Sequence, residues 1–169
     1  MVKLIESMQA DILGIQELFI HEVNELKPFL SQDYNFFGKG QMDGEVYGEV
    51  NGIFYKKERF EALDTRFYFV AENPLMKPEG NPRGIKGFNV IKLLDKKTNR
   101  TFVVINLHAD FRKPDKRLMT FKTIIKVIKE RYKDEAVVLM GDLNLFPNWI
   151  DKASLPFHDG NYIEKLLNK

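Results

Sequence analysis

The pattern of apolar and polar residues is most informative between residues 136 and 147, which read AVVLMGDLNLFP. A continuous apolar run occupies 136–140, and Gly141 and Asp142 follow it directly. A short, valine-rich run bounded by turn residues is typical of a buried strand. Because strands of α/β sheets present ligand-binding groups at their carboxyl ends, this strand would bring Asp142 and Asn144 to one point of the surface. A plain turn after a strand is the alternative interpretation.

Two earlier stretches follow the same pattern. The sequence DILGI at 11–15 indicates a strand, and Glu17 lies between it and the helical spacing of 18–30. The sequence TFVVINL at 101–107 indicates another strand, which leads directly into His108. Strands that end at a glutamate, a histidine and an aspartate predict that these side chains converge. The alternatives are a Glu17 that only interacts with a helix macrodipole and a His108 that is simply buried and hydrogen-bonded.

The rest of the pattern predicts further strands and two more helices. Residues 2–10 have the spacing of a short helix, and 115–133 have that of an amphipathic helix. The predicted buried stripe of the second helix consists of Leu118, Phe121, Ile124, Ile125 and Ile128. Apolar segments that suggest an antiparallel meander lie at 34–37, 50–55, 60–63 and 66–70, and a hairpin is predicted from 88–94 and 101–107.

This order of elements predicts an α/β (α+β) sandwich, in which mixed, largely antiparallel β-sheets carry helices packed on the outside. The connecting segment 73–87 contains three prolines and three glycines, which indicates a long loop. Long loops in compact domains are often functional, and Arg83 is the candidate binding residue in this one.

Composition narrows the class of protein. The chain has 169 residues and is 44% hydrophobic, which suits one domain with its own core. Its net charge of +2 neither requires nor excludes a nucleic-acid partner. The absence of cysteine excludes disulfides, zinc–thiolate sites and a cysteine nucleophile. Neither a transmembrane run nor a signal peptide is visible, so we expect a cytoplasmic location.

The candidate residues suit phosphate chemistry with a hard cation. Mg²⁺ is commonly held by one or two carboxylates together with water and substrate oxygens, and it can act as a Lewis acid on a phosphoryl group. The sequence contains no nucleophile elbow, no HExxH zinc helix and no phosphate-binding loop with the Gly-Lys-Ser/Thr ending. A carboxylate, an imidazole and an Asp/Asn pair therefore favour metal-assisted hydrolysis.

Four segments together resemble the endonuclease/exonuclease/phosphatase superfamily, whose fold is DNase I-like. The segment ADILGIQEL at 10–18 resembles the family's first metal-ligand motif, and GEVNGIFYKKERFE at 48–61 resembles the strand written GExxAIxYxxxxFE. The segment VVINLHAD at 103–110 resembles the NTHLD motif, and VVLMGDLN at 137–144 resembles the GDFN motif. The segment RFYFVAENP, followed by Arg83 before a strand, is similar to a bacterial branch of generic metal-dependent hydrolases.

The resemblance implies roles for the candidate residues. Glu17 would bind Mg²⁺ or Mn²⁺, and Asp142 would orient or deprotonate the attacking water. His108 would stabilise the phosphate oxyanion, with Glu49 as its hydrogen-bonded orienting partner. The reaction would be in-line hydrolysis of a phosphodiester or phosphomonoester, mainly by positioning and charge stabilisation.

The resemblance also implies contacts with the substrate, a phosphate ester and possibly nucleic acid. Asn144 is expected among the catalytic residues. Asn106 and Arg83 are expected at the substrate phosphate, and Asn106 and Asn144 would support the phosphate or the neighbouring catalytic groups. Nucleic acid, sugar phosphate, inositol phosphate and phospholipid are all substrates of such enzymes.

The chain departs from the family pattern at several places. No strand before 10–18 supplies the asparagine that shares the metal site, and no Ser-Asp-His motif occurs. His158 and Asp159 stand in reversed order and come too soon after the GDLN segment to replace it, and Leu107 and Phe111 replace a threonine and a histidine. We therefore expect a single, partial, incomplete DNase I-like domain over 1–169. A catalytically silent remnant or a phosphate- or nucleic-acid-binding module is the alternative function.

Overall fold

The computed structural model describes residues 2–81 and 84–145. Within these ranges the helices are α1 (Val2–Met8), α2 (Ile20–Leu30) and α3 (Pro114–Arg131). The strands are β1 (Ile12–Gly14), β2 (Leu18–Phe19), β3 (Tyr34–Phe37), β4 (Glu49–Val50), β5 (Ile53–Lys56), β6 (Phe60–Phe69), β7 (Gly87–Asp95), β8 (Arg100–His108) and β9 (Val137–Asp142). None of the helices in these ranges is long and apolar enough to cross a membrane.

The strands form two sheets and a short ribbon. One sheet has the order β1-β5-β3 and is antiparallel, and β2 pairs with β4 as an antiparallel ribbon. The larger sheet has the order β6-β7-β8-β9, in which β8 and β9 are parallel and the other pairs antiparallel. The prediction of mixed, largely antiparallel sheets is confirmed, as is the hairpin formed by β7 and β8.

The two sheets pack face to face, with helices on the outer surfaces. Side chains alternate between the faces of a strand, and β7 follows this rule. Phe88 and Val90 belong to the cluster that contains Ile124 of α3, whereas Ile91 belongs to the cluster that contains Ile53 of the other sheet. A third cluster joins α1 and α2 to the outer face of the smaller sheet. The predicted α/β sandwich is therefore the observed architecture.

Several predicted elements have different limits. The helix expected over 18–30 begins only at Ile20, because Leu18 and Phe19 pair with β4. The strand expected over 50–55 is divided between β4 and β5. The strands expected at 60–63 and 66–70 are one strand, β6, and its register against β7 shifts between Ala62 and Asp64, an irregularity that interrupts the apolar pattern.

Helix α3 buries a different stripe from the predicted one. Ile124 is buried as expected, but Leu118, Phe121, Ile125 and Ile128 are only half-buried. The centre of the buried face is instead formed by Arg117, Thr120, Thr123 and Val127. The threonine hydroxyls donate to the carbonyl oxygens of Lys116 and Met119, so they lie in the interior without an unpaired donor. A prediction of the buried stripe from apolar residues alone misses threonines whose hydroxyl groups bond to the helix backbone in this way.

Strand β9 is less buried than its sequence predicts. Val138 is 48% exposed and Leu139 is 39% exposed. Within the described residues, β9 has a strand partner on one side only, namely β8. The prediction of a buried strand from the run at 136–140 is therefore wrong for this part of the chain, because an apolar run does not reveal how many neighbours a strand has.

Candidate active site

His108 lies at the centre of a cluster of carboxylates at the end of β8. Its Nε2 atom is 3.7 Å from Glu17 Oε1 and 4.0 Å from Asp142 Oδ2, and its Nδ1 atom is 3.6 Å from Glu49 Oε2. The imidazole is buried. The predicted convergence of Glu17, His108 and Asp142 is therefore present in the structure, at the edge where the two sheets meet.

Asp142 reaches the cluster through the register of two parallel strands. His108 and Asp142 are partners in the β8–β9 ladder, and the backbone N–H of Ala109 donates to the Asp142 carbonyl at 2.9 Å. Gly141 has φ +122°, and a Cβ atom there would lie 2.0 Å from the Leu107 carbonyl oxygen. A glycine is thus required for β9 to approach β8 closely just before Asp142.

Glu17 occupies the turn between β1 and β2. Its φ of 66° lies in the left-handed region, which is unfavourable for a residue with a side chain. Its side chain is 70% exposed. The side chain therefore adds little to the core, and this turn leaves its carboxylate accessible 3.7 Å from His108 Nε2.

Glu49 does not form the hydrogen bond to His108 that the sequence predicts. The separation of 3.6 Å is an ion-pair distance and exceeds the range of a hydrogen bond. The same oxygen accepts instead from Gln41 Nε2 at 2.9 Å and lies 3.7 Å from Lys86 Nζ. Glu49 therefore borders His108, but its carboxylate is oriented by Gln41.

Asn144 is hydrogen-bonded to the Asp142 carboxylate and to the backbone of Ala109. Its side-chain amide donates to the Ala109 carbonyl at 2.8 Å, and its backbone N–H donates to Asp142 Oδ1 at 2.8 Å. Its φ of 49° again lies in the left-handed region, where asparagine is better tolerated than most residues. Asn144 is buried, and its two hydrogen bonds join the end of β9 to Ala109.

Asn106 is not available for a contact with a substrate phosphate. Its side chain is completely buried, and its amide donates to the carbonyl oxygens of Ile15 and Gly52 at 3.0 and 2.7 Å. Its side-chain oxygen accepts from Gln16 Nε2 at 2.8 Å. The expected contact with phosphate is therefore wrong, and the alternative of support for neighbouring groups agrees with these bonds. Asn106 faces the other sheet, where it binds the backbone that carries Glu17.

Two residues near the site were not predicted from the sequence. Lys86 has a side chain that is only 19% exposed and points at Glu49. Gln41 is buried and fixes the same carboxylate. A lysine at the end of a long loop and a glutamine in a glycine-rich loop carry no motif that would have identified them. Arg83, His158 and Asp159 lie outside the described residues.

The donor set is compatible with a hard divalent cation. In residues 2–81 and 84–145, no group of three or more His, Cys, Asp or Glu side chains is placed so that it could hold a metal ion by itself. Glu17 nevertheless offers an exposed carboxylate beside His108 and Asp142, and Mg²⁺ commonly uses only one or two carboxylates with water and substrate oxygens. The residues present therefore fit a cation that is shared with a substrate.

Comparison with known proteins identifies the family. The profile of the Endonuclease/Exonuclease/phosphatase family matches residues 1–163. The chain belongs to this family. A search of curated proteins found no match. Family membership and the layered sheets agree in giving this domain a DNase I-like fold.

Several solved structures are similar to this chain in fold. An endonuclease/exonuclease/phosphatase from Bacteroides vulgatus is 30% identical, with a TM-score of 0.77 over 85% of this chain and 56% of the other. A mannosyl-6-phosphatase from Bacteroides thetaiotaomicron is 26% identical, with a TM-score of 0.78 over 87% and 56%. TDP2 from D. rerio, complexed with a single-strand DNA product, is 18% identical and shares the fold, with a TM-score of 0.66 over 89% and 54%. The chain thus spans a little more than half the length of each of these structures.

Proposed function

We propose that the chain is a divalent-metal-dependent phosphoester hydrolase in which water attacks phosphorus in line. The observation that carries this proposal is the arrangement of Glu17, Asp142 and Glu49 within 4.0 Å of the imidazole of His108. The carboxylates provide a metal ligand and an acceptor for water, and the buried histidine beside them provides a donor for a phosphate oxygen. Family membership supports the same class of reaction.

Glu17 is the residue that would hold Mg²⁺ or Mn²⁺. When bound, the cation would act as a Lewis acid that neutralises charge on the phosphoryl oxygens. The exposed carboxylate of Glu17 can join such a cation without closing the site to substrate. The strained backbone at Glu17 fixes the direction of this ligand.

The remaining roles belong to side chains of this chain. Asp142 would accept a hydrogen bond from the attacking water, and Asn144 would keep its carboxylate in place. His108 Nε2 would donate to a phosphate oxygen, and the Glu49 carboxylate lies beside the other ring nitrogen, Nδ1. Lys86 would add a positive charge for the substrate anion. Such positioning and charge stabilisation account for most of the catalysis of phosphoryl transfer.

The proposed substrate is a phosphate ester, and nucleic acid is one candidate. Among the similar structures, one is a mannosyl-6-phosphatase and another holds a single-strand DNA product. These names support the phosphate ester as the common chemical class. A cytoplasmic location and a single domain over 1–169 stay predictions.

A catalytically silent phosphate-binding module is the second candidate. The sequence contains no Ser-Asp-His motif, and the chain spans little more than half of the similar structures. When one of several groups that act together in catalysis is absent, the enzyme loses most of its catalytic rate. This candidate keeps the binding of Mg²⁺ and phosphate but predicts no turnover.

The proposal is tested by hydrolysis of bis(p-nitrophenyl) phosphate, plasmid DNA and mannose 6-phosphate by the 169-residue chain, with Mg²⁺ or with EDTA. We expect slow turnover of at least one substrate, which EDTA removes and Asp142→Ala abolishes. Asp134→Ala is the matched control, because Asp134 is exposed and its contact is with Lys133. Binding of Mg²⁺ without any EDTA-sensitive turnover would establish the silent module instead.

A further inference from the structure

The ribbon of β2 and β4 has one face in the core and one face at the active site. Its register pairs Leu18 with Val50 and Phe19 with Glu49. Directly opposed residues of an antiparallel pair lie on the same face, and successive residues alternate between faces. Val50 is completely buried, and Leu18 packs against the same cluster. Phe19 and Glu49 therefore share the opposite face.

Glu49 connects this face with the catalytic cluster. Its carboxylate lies 3.6 Å from His108 Nδ1, so the cross-strand neighbour of Glu49 stands at the border of the active site. That neighbour is Phe19, which is 46% exposed. The ring of Phe19 stacks on the ring of His21, with 6.0 Å between centroids and 22° between planes. We call this pair the aromatic ledge.

The aromatic ledge is held in place by the start of α2. The backbone N–H of Phe19 donates to Glu22 Oε2 at 2.8 Å, and Phe19 directly precedes the helix. Because pairing with β4 and this bond fix the backbone, little conformational freedom remains to be lost when a ligand binds. Preorganisation of this kind favours binding.

We propose that the aromatic ledge is a stacking subsite for the nucleobase of the substrate, so that the substrate is a nucleotide-type phosphoester. This inference rests on the proposed function, since it places the reacting phosphate at His108. A base stacks on an aromatic side chain whatever its identity, because every base has a π-face. The sugar of a hexose phosphate has no such face.

An exposed phenylalanine by itself is ordinary on a protein surface. Two separate observations distinguish Phe19: its register opposite Glu49 and its stacking on an imidazole. Phe29, within α2, provides the contrast. It is 66% exposed and lies about 15 Å further along the helix axis.

The test compares the binding of adenosine 5′-monophosphate and ribose 5-phosphate, which differ by the base. Ligand-observed NMR with the full chain, with and without Mg²⁺, gives both affinities. We expect the nucleotide to bind more tightly, and Phe19→Ala to weaken its binding about tenfold with little effect on ribose 5-phosphate. Phe19→Trp should retain the preference, and Phe29→Ala should leave both affinities unchanged.

Equal affinities for the two ligands, binding of neither, or an equal loss of both in Phe19→Ala would overturn the inference. Thermal unfolding followed by circular dichroism checks that each variant is folded. Hydrolysis is measured separately, so the two proposals fail in different ways. Turnover without a preference for the nucleotide would reject only the aromatic ledge, and a preference without turnover would reject only the hydrolase.

Discussion

The side-chain amide of Asn106 donates a hydrogen bond to the carbonyl of Gly52 at 2.7 Å, across the space between the two sheets. Its second proton goes to the carbonyl of Ile15, two residues before Glu17, and Gln16 Nε2 donates to its oxygen. Asn106 itself lies two residues before His108. One buried amide therefore fixes the distance between the backbone that carries the candidate metal ligand and the strand that carries the histidine.

Replacing Asn106 with alanine should destabilise the domain. The Ile15 carbonyl would lose its bond to Asn106, and the Gly52 carbonyl would keep only the one from the Ile15 backbone N–H. A buried polar group that loses its partner costs about 1–3 kcal/mol, so we expect the free energy of unfolding to fall by roughly 2 kcal/mol. Urea unfolding measures this change. Asn24→Ala on the exposed side of α2 is the control, and an equal effect of both variants would contradict the bridging role.

Replacing Glu17 with glycine should remove Mg²⁺ binding and also relieve the backbone strain at this position. A residue with a side chain costs about 1–2 kcal/mol in the left-handed region, whereas glycine adopts it freely. Glu17→Gly should therefore be more stable to urea than Glu17→Ala by about 1 kcal/mol, although both lose the exposed carboxylate and with it Mg²⁺ binding. Isothermal calorimetry with Mg²⁺ gives the second quantity. If the alanine variant is as stable as the glycine variant, Glu17 is not strained.

The sequence was sufficient for the fold class because apolar periodicity reports directly on strands and helices. It identified Glu17, His108 and Asp142 because each follows an apolar strand, and strand ends meet at a sheet edge. It misjudged β9, since the apolar run at 136–140 does not record whether a strand is covered on both sides. It also misjudged the buried face of α3. There the hydroxyl groups of Thr120 and Thr123 donate to backbone carbonyl oxygens of the same helix, so both residues can be buried.

The side-chain contacts of the site could not be read from the sequence. The pairing of Glu49 with His108 was expected as a hydrogen bond, but Gln41 competes for the same oxygen from a loop eight residues earlier. Asn106 was assigned to the phosphate because its strand ends at the site, yet side chains alternate and its amide faces the other sheet. Lys86 approaches Glu49 only through the pairing of sheets that no local pattern encodes.

Lys86 should contribute to substrate binding rather than to the chemical step. Its ammonium group is largely buried beside Glu49, where low solvent access strengthens its attraction for a phosphate anion. We expect Lys86→Met to raise KM about tenfold at a nearly unchanged kcat, and Lys86→Arg to restore most of the binding. Steady-state hydrolysis provides both constants. Lys97→Met, in the hairpin turn at the far end of β7, is the control, and a loss confined to kcat would refute this role.

Asp95 should make stability depend on acid pH. The side chain of Arg59 donates to its carboxylate at 3.1 Å and lowers the pKa of Asp95; burial opposes this shift, and the backbone N–H of Lys97 adds to it. A carboxyl group with a lowered folded pKa stabilises the fold above its unfolded pKa of about 3.9, and this contribution disappears as the pH falls through the folded pKa. Asp95→Asn should therefore be less stable than the wild type at pH 7, and the difference in unfolding free energy should shrink below about pH 4.

Urea unfolding at pH 7, 5, 4 and 3 measures this difference, and Arg59→Met should reduce the same pH dependence. A gap between wild type and Asp95→Asn that is as large at pH 3 as at pH 7 would show that the ion pair does not act through the charge of Asp95.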